Sequence, residues 1–152
     1  MKMQFKNEIM LITYADSLGG SMKALGEILQ KHYGGAVGGL HLLPFFPSSA
    51  DRGFAPIRYD QVDPSLGSWE DVKSLGETYY LMFDFMINHI SRQSPYFRDM
   101  IEKKEASPWW DFFVHYNDFW PEGGPTARQL DMIYKRKSRA PYTEAEFSDG
   151  TK

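Results

Sequence analysis

At 152 residues, with 42% hydrophobic and 24% charged side chains, the chain has a globular balance and the length of one ordinary domain. A formal net charge of −3 gives no electrostatic reason to expect nucleic acid or an anionic membrane as partner, and the lack of cysteine excludes disulfides and thiolate metal sites. No apolar run approaches the roughly 20 residues of a membrane span, and the opening MKMQFKNEIML lacks the apolar core of a signal peptide, so a cytoplasmic protein is expected.

Residues 8–14 (EIMLITY) form a short apolar, partly β-branched run that ends in Asp16, Gly19 and Gly20, the pattern of a buried strand entering a loop. Residues 21–30 follow as a helix. Met22, Leu25, Ile28 and Leu29 share one face at helical spacing, and Gly34-Gly35 supplies the stop. Residues 37–46 (VGGLHLLPFF) are apolar without alternation, which suits a strand covered on both faces, ending by Pro44.

The Pro-, Gly-, Ser- and Asp-rich segment 47–67 is longer than an ordinary connection, and such loops usually carry function. Ser68 with Asp71 reads as a capping box opening a short helix with Val72 and Leu75 inward and Gly76 as its stop. Residues 79–90 (YYLMFDFMINHI) form a third strand whose polar members Asp84, Asn88 and His89 lie in its second half. Strand, helix, strand, helix, strand is a βαβαβ unit, so the class is α/β with parallel pairing.

After Ser91 the character changes. Ser94-Pro95 opens a helix with Phe97, Met100 and Ile101 inward. Trp109, Trp110, Phe112, Phe113, Phe119 and Trp120 follow in a stretch broken by Pro and Gly. These rings suit a lobe core better than sugar stacking. Thr126 with Gln129 caps a last helix carrying Leu130 and Ile133, and the basic run 135–139 follows it.

Parallel α/β folds place their sites at the C-terminal ends of strands, which singles out Asp84, Asn88 and His89. Clustered there, they are suited to hydrogen-bonding a polyhydroxylated ligand. By spacing alone, a structural histidine beside an ion-paired carboxylate is the commoner arrangement. A small nucleotide-binding domain of flavodoxin type is disfavoured, because LGGS is a weak substitute for a glycine-rich phosphate loop.

The segments LITYADSLGG, GLHLLPFFPSSADRGFAPIRYDQVDPSLGSWEDV, YYLMFDFMINHIS and IYKRKSRAP together resemble the α-amylase superfamily of glycoside hydrolases, in its sucrose phosphorylase branch. The Tyr59-x-x-Val62-Asp63-Pro64 and Asp84-x-x-x-x-His89 elements are shared across the superfamily. LITYADSLG, HLLPFFPS and DRGFAP are similar to the phosphorylase branch.

The resemblance implies the first three βα units of a (β/α)8 TIM barrel over residues 1–91 and the beginning of an inserted domain B over 92–152. It implies reversible glucose transfer with retention: a barrel aspartate attacks the anomeric carbon of sucrose while a glutamic acid protonates the departing fructose, and phosphate then releases α-glucose 1-phosphate. The expected partners are thus sucrose, inorganic phosphate, glucose 1-phosphate and fructose, with no cofactor and no metal. Sister phosphorylases for sucrose 6′-phosphate or glucosylglycerate are the near alternatives, and a non-catalytic carbohydrate-binding remnant is the distant one.

By the same resemblance, Asp51 and His89 hydrogen-bond the glucose of the donor subsite and Phe54 forms part of its wall. Asp84 and Asn88 support His89. Tyr134 and Lys137 fall where the family has acceptor and phosphate contacts, although the basic run suits a solvated helix end equally well. The nucleophile, the acid and a third aspartate belong by resemblance to strands four, five and seven. These 152 residues alone are therefore expected to be inactive, since three parallel strands cannot close a barrel of about 250 residues.

Overall fold

The computed structural model describes residues 7–120, 123–133 and 142–152. It divides into two compact units, Met1–Ser94 and Pro95–Lys152.

In the first unit, β1 (Met10–Thr13), β2 (Gly39–Leu42) and β3 (Tyr80–Phe83) form one sheet in the order β1-β2-β3, with both pairings parallel. Parallel neighbours need a crossover long enough to return to the same edge. The helices α1 (Met22–Tyr33) and α2 (Trp69–Thr78) lie in those crossovers.

Both helices start on side-chain caps. Ser21 Oγ accepts from the Ala24 amide. At α2 the capping box is complete: Ser68 Oγ accepts from the Asp71 amide at 3.3 Å, and Asp71 Oδ2 accepts from the Ser68 amide at 2.8 Å. Two amides that the helix itself cannot satisfy are thereby paired. The helix runs past Gly76 to Thr78, contrary to the expected stop. Gly76 is an interior residue whose missing side chain admits Leu81 of β3, since a Cβ there would stand 3.3 Å from Leu81 Cδ1.

The core forms where these elements meet. Met22, Leu25 and Leu29 of α1, Val72 and Leu75 of α2, Leu40 and Leu42 of β2, and Phe45 are all buried. Each such side chain contributes about 1.5–3 kcal/mol through removal from water. The register aligns Ile12, His41 and Met82 on the other sheet face, where Ile12 and Met82 are exposed.

The third strand is shorter than the apolar run that encodes it. Pairing stops at Phe83, and residues 84–90 continue without ladder partners. The cause lies on β2: in the observed register Phe85 would face Pro44, which has no N–H to give.

The Tyr59-x-x-Val62-Asp63-Pro64 element is architectural. Val62 is buried in the core, and Asp63 closes a turn in which its carboxylate accepts from the Ser65 amide and hydroxyl. Leu66, at the end of that turn, accepts from the Met22 amide at 2.9 Å, which joins the loop to the start of α1.

The second unit opens with α3 (Pro95–Lys103), which turns Met100 inward. It also holds the short helices α4 (Tyr116–Phe119) and α5 (Ala127–Ile133). Thr126 and Gln129 cap α5 reciprocally, as expected. The aromatic stretch does not form a deep core: Met100 is the one buried hydrophobic side chain of this unit among the described residues. The rings pack on each other instead. Tyr96 lies 4.5 Å from Trp109, and Trp110 stacks on His115 at 3.7 Å, while Phe112 and Phe119 stay more than half exposed.

Candidate functional site

The loop between β2 and α2 makes its sharpest turn at Asp51–Gly53. Asp51 (φ 56°), Arg52 (φ 49°) and Gly53 (φ 100°) all lie in the left-handed region. Aspartate tolerates that region better than most residues, but the conformation still costs about 1–2 kcal/mol per L-residue. Only glycine fits the third position, because a Cβ on Gly53 would stand 2.4 Å from the Pro44 carbonyl oxygen. A strained turn persists where its surroundings over-determine it.

Those surroundings are on both sides. The Arg52 guanidinium donates to Asp16 Oδ1 at 2.7 Å and lies 4.0 Å from the centre of the Tyr14 ring, so the loop after β1 grips the turn. On the other side the Phe54 amide closes the turn on the Asp51 carbonyl at 3.1 Å, and His89 Nε2 donates to the Phe54 carbonyl at 2.6 Å. A carbonyl can only accept, so Nε2 carries the proton and Nδ1 of neutral His89 is left as an acceptor. Three further ties bind the loop to the segment after β3: Tyr59 donates to the Met86 carbonyl at 2.6 Å, the Ser91 amide donates to the Pro56 carbonyl at 2.9 Å, and the Ser49 and Ser91 hydroxyls meet at 2.6 Å.

Asp51, Phe54 and His89 are thereby brought into one connected structure at the strand ends. The Asp51 carboxylate is exposed and has no hydrogen-bond or ion-pair partner among the described residues. Beside it opens a cavity of about 320 Å³, lined by Tyr14, Asp16, Phe46, Ser48, Asp51 and Arg52 among others. That is the lower end of the range of about 300–1,000 Å³ typical of small-ligand sites. Phe54 and His89 do not line this cavity.

Neither Asp84 nor Asn88, the expected supports of His89, is hydrogen-bonded to it among the described residues. Asp84 Oδ2 accepts from Nε2 of His41 at 2.8 Å, and His89 is held by the Phe54 carbonyl instead. Asn88 is exposed, with no hydrogen bond to His89. The reason is the early end of β3: once the chain leaves the ladder, strand alternation no longer decides which side chains of 84–89 share a face. Tyr134 and Lys137 lie outside the described residues.

Sequence reasoning missed His41 and the group of Tyr14, Asp16 and Arg52. His41 had a signal, as the lone polar side chain in VGGLHLLPFF. Among the described residues no three of His, Asp and Glu gather as metal ligands, and no helix is long and apolar enough to cross a membrane.

Comparison with known proteins adds four findings. The model of the α-amylase catalytic domain matches residues 19–141. A sucrose phosphorylase of Streptococcus mutans is 61% identical over 145 residues, which cover 95% of this chain and 30% of that protein. A sucrose 6(F)-phosphate phosphorylase of Thermoanaerobacterium thermosaccharolyticum is 42% identical over 97% of this chain and 30% of its own length. The crystal structure of a sucrose 6F-phosphate phosphorylase from Thermoanaerobacter thermosaccharolyticum superposes with a TM-score of 0.88 at 40% identity, covering 98% of this chain and 30% of that one. The chain thus spans about 30% of the length of the relatives it matches.

Proposed function

The chain belongs to the α-amylase catalytic-domain family, and on that premise we propose that it builds one side of the donor-sugar subsite of a retaining sucrose phosphorylase. Asp51 and His89 bind the glucosyl unit and Phe54 walls it. The nucleophile and the acid are expected from strands further along a complete barrel. Residues 92–152 are read as the beginning of the inserted domain B, and Tyr134 and Lys137 as contacts to acceptor and phosphate.

The observation that carries this reading is the uncommitted Asp51 carboxylate, held on a strained turn that is joined through Phe54 to His89. A carboxylate with open lone pairs suits two neighbouring sugar hydroxyls. Hydrogen bonds to a charged group are worth about 1.5–3 kcal/mol each. His89 Nδ1 accepts a third hydroxyl, and protonation turns it into a donor. The function of these residues is to hold the ring so that its oxocarbenium-like state lies in line with nucleophile and acid.

Identity favours sucrose as the donor. The sucrose phosphorylase of Streptococcus mutans is 61% identical, against 42% for the sucrose 6(F)-phosphate phosphorylase of Thermoanaerobacterium thermosaccharolyticum. Glucosylglycerate phosphorylase activity and a non-catalytic sugar-binding role are the outcomes to be set against it.

The test is Asp51→Ala and Asp51→Asn in the full-length protein carrying these residues. Both should abolish phosphorolysis of sucrose while the thermal unfolding midpoint stays close to that of the parent, because the side chain is exposed and Asn tolerates the left-handed turn. An active Asp51→Ala protein removes Asp51 from the subsite.

A further inference from the structure

We propose that Asp16 is a positioning residue for Asp51, acting through Arg52. The inference rests on the reading of Asp51 as a donor-sugar contact. Asp51 and Arg52 are adjacent, of opposite charge and both in the left-handed region, so the nearest cation to the Asp51 carboxylate along the chain is the Arg52 guanidinium. That guanidinium is committed elsewhere. Its Nη2 donates to Asp16 Oδ1 at 2.7 Å, and its centre lies 4.0 Å from the Tyr14 ring.

Two consequences follow. The clamp fixes the second residue of a turn that would not hold its conformation unaided. It also draws the guanidinium away from Asp51, whose carboxylate keeps its lone pairs open to sugar hydroxyls. Tyr14, Asp16, Asp51 and Arg52 all line the same cavity, so the clamp and its beneficiary face one space. Stability is not the purpose of the pair: the Arg52 and Asp16 side chains are 58% and 40% exposed, and ion pairs that exposed add little to folding.

The experiment compares Asp16→Asn, Arg52→Gln and the double variant in the full-length protein, measuring kcat and KM for sucrose with phosphate saturating and the unfolding midpoint of each. Asp16→Asn releases the guanidinium toward Asp51 and should lower kcat/KM by about tenfold, with the midpoint near the parent's. Adding Arg52→Gln removes the competing charge and should restore kcat/KM to within about threefold of the parent, a rescue that purely structural support of the turn would not give. Parental kinetics in Asp16→Asn, or a double variant no better than Asp16→Asn, overturns the proposal. If the parent itself shows no phosphorolysis, the donor-subsite reading fails and takes this inference with it, whereas an active parent isolates the clamp.

Discussion

His89 donates from Nε2 to the backbone carbonyl of Phe54 at 2.6 Å, so the segment after β3 holds the loop after β2 at the residue next to its glycine turn. Two residues 35 positions apart in the chain are thus tied together. His89→Ala should raise KM for sucrose and lower kcat/KM. It should reduce stability by no more than about 1 kcal/mol, since the ring is exposed and water can take over the carbonyl. Steady-state kinetics with urea unfolding of the full-length protein check both halves.

Gly53→Ala tests the turn itself. The added Cβ meets the Pro44 carbonyl oxygen at 2.4 Å and φ stands at +100°, so either the loop shifts or the protein loses stability, by roughly 1–3 kcal/mol. Activity is expected to fall with it, because Asp51 is two residues away. A Gly53→Ala protein with the parent's kinetics and midpoint would contradict the strain argument.

The capping box of α2 offers a prediction independent of function. Ser68→Ala removes the acceptor of the Asp71 amide and should cost about 1 kcal/mol, measurable by chemical denaturation. Ser68→Asp keeps an acceptor and should lose less.

Such local features were legible in the sequence because they depend on residues three or four positions apart. Ser68 with Asp71 and Thr126 with Gln129 announce their helices without tertiary information, and three apolar runs separated by helical patterns suffice for a parallel sheet. The pair of His41 and Asp84 was not legible, since 43 residues separate them and only the register of β2 against β3 sets the ends of those strands side by side. The early end of β3 was hidden for a related reason: Pro44, on the neighbouring strand, withdraws the ladder from an apolar run that reads as a strand to Ile90. Asp16 and Arg52 were passed over because an exposed ion pair has no local signature.

In the second unit, the turn at residues 147–151 is fixed to the end of α3. The Ser148 hydroxyl donates to the Ile101 carbonyl at 3.1 Å, and Lys104 donates to Asp149. Lys104 first, and then the Thr151 hydroxyl and amide, hold the Asp149 carboxyl at about 2, below its ordinary 3.8. The contact therefore stabilises the docked turn fully above the unfolded value near 3.8, and is lost as pH falls through about 2. A carboxyl-resolved NMR titration should place the Asp149 midpoint near 2, and a midpoint near 3.8 would mean the turn is undocked.

The most direct test of the central claim is phosphate-dependent release of glucose 1-phosphate from sucrose by the full-length protein carrying these residues, with the isolated 152-residue chain run alongside. The account predicts release by the full-length protein that requires phosphate and disappears with Asp51→Ala, and none from the 152 residues alone. Failure to act on sucrose, with turnover of sucrose 6′-phosphate or glucosylglycerate instead, would contradict it.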